Sequence, residues 1–133
     1  GGVVCKLFID ADPELWRSAT HSLRIDGMVT SVRMENYFWQ LLEEIAQRDG
    51  MNTAQMITRL YHESIDAGHD LGNFTSFLRV CALRYQALQL SGDIPPSVTV
   101  PIGELDAQKI LSRESTLRDI TLSERALHKK HVH

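Results

Sequence analysis

The sequence predicts a mostly helical fold: a homodimer built on an intermolecular two-stranded antiparallel β-ribbon, with an additional C-terminal helix. Three observations predict it. The run from Met28 to Met34 alternates its side chains as a half-buried strand does. It leads at once into an amphipathic helix pattern, an Asp49-Gly50 turn and a second helix pattern opened by Asn52. A third apolar helical pattern covers residues 73–90. The strand dictates the dimer, because a single strand has nothing to pair with inside such a unit, and even a two-stranded ribbon is marginal in water without helices to cover it. A second copy is the economical partner, since two-fold pairing lets one patch complement itself.

Each element has its own signature. In the strand, Thr30, Val32 and Met34 share one face and Val29, Ser31 and Arg33 the other, because side chains alternate with period two. One face packs and the other is offered outward; a slip of one residue would exchange them. In the first helix Phe38, Leu41, Leu42 and Ile45 recur at i, i+3, i+4, i+7, widened by Trp39 and Ala46. Gly50 suits the left-handed residue that ends a helix, and Asn52 with Gln55 reads as a capping box for the next. Met56, Ile57, Leu60, Tyr61 and Ile65 form the apolar stripe of that second helix.

Gly68 to Gly72 is a short linker to the third helix, in which Phe74, Phe77, Leu78, Cys81, Tyr85 and Leu88 recur at helical spacing. Packing on the core is the default for so much apolar surface. Pro95-Pro96 marks a boundary, since prolines end regular structure. Scattered leucines and isoleucines over 103–128 fit short helices or a partly disordered tail. The resulting division is an N-terminal arm over 1–27, a core over 28–67, the additional helix over 68–94 and a partly flexible C-terminal extension over 95–133.

The stretch from Val29 to about Ile65 resembles a ribbon-helix-helix domain of the Arc/MetJ/CopG type, a family of dimeric bacterial DNA-binding proteins. The resemblance rests on the alternating strand, Phe38 on the first helical turn, Ile45-Ala46 one turn before Gly50, and Met56-Ile57 after Asn52. More closely, Thr30-Ser-Val-Arg-Met-Glu35 followed by Phe38-Trp39 and Leu42-Glu-Glu-Ile-Ala46 is similar to a largely uncharacterised bacterial subfamily of such domains. It extends more weakly to residue 90.

The resemblance implies that the outward ribbon face, here Val29, Ser31 and Arg33, enters the major groove and contacts bases. The residue types suit such contacts. Arg bonds guanine O6 and N7 in bidentate fashion, Ser donates or accepts at several base edges, and Val touches a thymine methyl. The resemblance also implies phosphate anchoring at the start of the second helix, on Asn52 and Thr53, where free N–H groups and the dipole favour an anion. Arg24, with Lys6, Arg17 and His21, belongs to an arm that would contact the DNA backbone. The plainer readings are a soluble strand face for Ser31 and Arg33, an ordinary N-cap for Asn52, and a solubilising role for Arg24 and Arg17 among Asp10, Asp12 and Glu14.

Charge argues for restraint. The chain carries 14 Lys+Arg against 17 Asp+Glu. Nonspecific affinity comes from phosphate neutralisation, so binding to random DNA is expected to be weak. That balance favours the rival reading, a dimeric protein-interaction module, antitoxin-like or an adaptor, that holds a protein partner through the helix at 73–90 or the tail. Enzyme chemistry finds no foothold, for no phosphate-cradling glycine loop, nucleophile elbow or paired His/Glu metal motif occurs. Glu43 and Glu44 are adjacent and splay apart on a helix. No cofactor or metal is called for, since His128, His131 and His133 sit in a polar tail without companion ligands. Cys5 and Cys81 lack metal spacing and read as reduced thiols of a cytoplasmic protein. No apolar run is long enough to span a bilayer, so no membrane partner is expected. The partners expected are double-stranded DNA and a second copy, with the dimer open to higher assembly.

Overall fold

A computed structural model describes residues 5–131, with side chains through Lys129. After a short helix α1 (Lys6–Ile9) and a 3-10 turn (Pro13–Trp16) come strands β1 (Ser18–Ile25) and β2 (Met28–Glu35) and helices α2 (Asn36–Arg48), α3 (Thr53–Asp66), α4 (Phe74–Leu90) and α5 (Ala107–His131). Two compact units result, one ending at Ile102 and the other beginning at Gly103.

The strand at 28–34 exists, but its partner is its own chain. β1 pairs antiparallel with β2, Ile25 opposite Met28 through Ser18 opposite Glu35. This corrects two expectations at once: the ribbon is intramolecular, and residues 18–25 are strand and not arm. The cause is local. Asp26 and Gly27 are the two loop residues and both have positive φ, 52° and 79°. That is the type I′ turn whose twist matches a hairpin, and Asp-Gly is a preferred pair for it. The ladder runs one step further, where the Asn36 amide donates to the Arg17 carbonyl at 2.8 Å.

The hairpin presents its inner face to the helices. Leu23, Ile25, Val32 and Met34 are buried there, so Val32 and Met34 lie inward as the alternation requires, while Thr30 near the tip stays exposed. Beneath them α2 is central, touching α3, α4 and β2, and burying Trp39, Leu41, Leu42 and Ala46. The Trp39 indole N–H donates to the Ala19 carbonyl at 3.0 Å, and the ring stacks on His21 at 3.9 Å between centroids. Gly50, at φ 69°, ends α2 in a Schellman motif: Met51 N–H returns to Ala46 and Gly50 N–H to Gln47.

In α3 the predicted capping box is present, Asn52 Oδ1 accepting from the Gln55 amide at 2.8 Å and Gln55 Oε1 from the Asn52 amide at 2.9 Å. Met56 and Ile57 are buried, whereas Ile65, assigned to the same stripe, is exposed. α4 packs on α2 through Leu78, Ala82 and Tyr85, with Cys81 only half-buried. Its Arg79 forms a bidentate pair with Glu35, Nη2 to Oε1 at 2.7 Å, fastening the end of β2 to the third helix.

The Pro95-Pro96 boundary is displaced. Arg48, almost fully buried, donates to the carbonyls of Pro95 (2.9 Å), Ser97 (2.8 Å) and Val100 (2.9 Å) and to the Tyr85 hydroxyl (3.1 Å). Those bonds hold the segment past the prolines in the first unit. In the second unit, α5 is one long helix where short helices or a loose tail were expected.

Candidate nucleic-acid interface

The outward face of the hairpin alternates against the buried one, so beyond the Ser18–Glu35 pair at its base it carries three cross-strand pairs: Thr20 with Arg33, Ser22 with Ser31, and Arg24 with Val29. All six residues are exposed. Val29, Ser31 and Arg33 therefore share one solvent-facing surface. β1 adds Thr20 and Ser22, which the strand pattern at 28–34 alone leaves out. The signal that locates them is Asp26-Gly27 with Leu23 and Ile25 alternating before it.

Arg24 is not on a flexible arm. Lying in β1, it lines an open groove with Asn52, Ala54, Gln55, Thr58, Arg59, His62 and Glu63 of the α3 cap and helix. Two residues assigned to phosphates, Arg24 and Asn52, thus meet in one concavity. Arg59 and His62 join them, and His62 Nε2 lies 2.8 Å from Asp26 Oδ1 at the hairpin tip. Thr53 begins α3. Since the Asn52 amide is taken by Gln55, helix geometry leaves the amides of Thr53 and Ala54 as first-turn donors without an intrahelical carbonyl.

The electrostatics are mixed, with Arg24, Arg59 and His62 set against Glu63 and Asp26. Behind the face, the Arg79 guanidinium bonded to Glu35 holds that carboxyl below its ordinary range, so it is charged at neutral pH. Among the described residues, none group as three or more His, Cys, Asp or Glu able to hold a metal ion; His133 lies outside them, as does the side chain of His131.

A ribbon-helix-helix domain model matches residues 18–86, beginning at the first residue of β1 and ending within α4. The chain belongs to the ribbon-helix-helix family. That match takes in the hairpin, both core helices and most of the third. Among solved structures, this ribbon-helix-helix protein is similar to an uncharacterized protein from Bordetella pertussis Tohama I, at 51% identity and a TM-score of 0.78, over 84% of this chain and 89% of that one. A comparison with curated proteins finds no match. The family is one of DNA-binding regulators, and no helix among the described residues is long and apolar enough to cross a membrane.

Proposed function

We propose that this ribbon-helix-helix protein binds double-stranded DNA sequence-specifically and acts as a transcriptional regulator, a homodimer in a bacterial cytoplasm without catalysis or cofactor. The observation that carries the proposal is the exposed hairpin face in a chain of this family. A two-stranded β-ribbon is of a size the major groove admits. On that face Arg33 takes a guanine edge, Ser31 a second base, and Val29 a thymine methyl. Arg24 and Asn52, which line the neighbouring groove, hold phosphate together with Thr53 at the start of α3, whose amide donates. Phosphate contacts set register while base contacts carry sequence.

The test is oligonucleotide selection from a random pool, followed by Arg33→Ala. The variant should melt as the wild type does, yet lose about 1–3 kcal/mol of discrimination at one base pair. Arg24→Ala should weaken all sequences alike and reduce the salt slope by about 1. Absence of DNA binding by the wild type, or unaltered preference in Arg33→Ala, overturns the reading.

A second reading is favoured by the acidic balance and by Val80, Leu83 and Leu90, which leave one side of α4 apolar and exposed. In it the protein is an interaction module for a protein partner. Stoichiometric copurification of that partner, with no selected oligonucleotide, decides for it.

A further inference from the structure

The two strands of the hairpin repeat one another. Thr20-His-Ser-Leu-Arg-Ile25 and Val29-Thr-Ser-Val-Arg-Met34 stand nine residues apart in the chain. Ser and Arg recur unchanged, Leu23 and Ile25 are answered by Val32 and Met34, and Thr20 by the similarly shaped Val29; only His21 and Thr30 differ in kind. Burial follows the same repeat. Leu23, Ile25, Val32 and Met34 are all buried, while Thr20, Ser22, Arg24, Val29, Ser31 and Arg33 are all exposed.

The register turns this repeat into a two-fold. Ser22 lies opposite Ser31, so a local axis through that pair carries Thr20 onto Val29 and Arg24 onto Arg33. One chain therefore presents the kind of face that two copies of a single strand would make. A duplex has two-fold axes of its own, and a two-fold reader set on one of them offers equivalent side chains to equivalent positions on opposite DNA strands.

We propose that a single protomer is a complete base-reading unit, in which Thr20 and Ser22 of β1 contact bases of one DNA strand as Val29 and Ser31 of β2 contact the other. The inference rests on the DNA-binding reading above and adds two specificity residues to it. Thr20 and Val29 stand on opposite strands of the ribbon four residues apart along it, about 13 Å, close to four base-pair steps of about 3.4 Å. A Thr methyl takes a thymine methyl as Val does. The two thymines then lie on opposite DNA strands about four steps apart, with Ser22 and Ser31 facing the base pairs between them. The symmetry breaks at the arginines. Arg24 lines the groove with Asn52 and goes to phosphate, so Arg33 alone takes a guanine. The site bound is palindromic in its thymines and one-sided in its guanine.

Selection of duplexes by the full chain, followed by fluorescence anisotropy on the selected duplex, tests this. Uracil in place of thymine removes one methyl group from the DNA. At the thymine assigned to Thr20 it should weaken the wild type roughly fourfold, the effect of one buried methyl group, and leave Thr20→Ser unaffected, because that variant has no methyl to lose. Val29→Ala should be insensitive to uracil at the other thymine only. Ser22→Ala should alter base preference between the two thymines. All three positions are exposed, so thermal melting should stay near that of the wild type. A wild type that selects no duplex overturns the DNA-binding reading and this inference with it. A selected site whose preferences respond to Val29→Ala and Ser31→Ala, while Thr20→Ser and Ser22→Ala change nothing, overturns this inference alone, since β2 of two copies would then do the reading without β1.

Discussion

Replacing Arg48 by alanine probes how much the first unit depends on a single side chain. The guanidinium makes four hydrogen bonds, three to carbonyls of residues 95, 97 and 100 and one to Tyr85. Bonds to a charged donor contribute about 1.5–3 kcal/mol each, so a plain sum would be several times the effect of an ordinary substitution. Two considerations reduce it. The carbonyls belong to a surface segment that rehydrates once released, and the Tyr85 hydroxyl keeps its bonds with Glu44 and Gln89. The expected loss is about 3–5 kcal/mol, the range for breaking a buried charged network. Urea denaturation supplies the number, and hydrogen exchange localises it, since amides around 94–102 should lose protection first. Arg48→Lys should recover only part, because an ammonium is a point charge and cannot span four acceptors. A loss below about 1 kcal/mol in Arg48→Ala would refute the reasoning, because it would place the segment's anchorage elsewhere.

The hairpin turn offers a smaller, cleaner effect. A Cβ at Gly27 would meet nothing within 4 Å, so Gly27→Ala costs only left-handed strain, about 1–2 kcal/mol in thermal melting. A larger loss would mean a contact that the open turn does not contain. Acid titration tests the Glu35–Arg79 pair. The folded carboxyl titrates below its ordinary 4.5, so the pair's contribution is complete above that pH and disappears as pH falls through the lowered folded value. Glu35→Gln should therefore be less stable than wild type at pH 6 and converge on it in strong acid; parallel curves throughout would contradict the linkage.

Much of the fold is legible in the residues themselves. The helix phases of Leu41, Leu42, Ala46, Met56 and Ile57, the Gly50 stop and the Asn52–Gln55 cap all depend on neighbours three to five positions away, and local rules find them. The inward turn of Val32 and Met34 follows from period two. The partner of β2 escapes such rules because the polar run Ser18, Thr20, Ser22 has no apolar alternation of its own at its start, although Asp26-Gly27 announces a hairpin. Arg48 carries no sequence signal at all. It reads as a basic residue in the last helical turn, and only the return of a segment some fifty residues later makes it a buried centre. Arg24 and Asn52 are likewise distant in sequence and adjacent only after the hairpin folds onto α3.

A sheet closed by an Asp-Gly turn forms at first order in protein. Its strands meet at a rate set by a two-residue loop and not by how many molecules the cell holds, so scarcity of the chain does not deprive any copy of its β-structure. Any threshold in the response to dosage then has to come from copies meeting on a target or on one another, a step open to tuning without touching the fold.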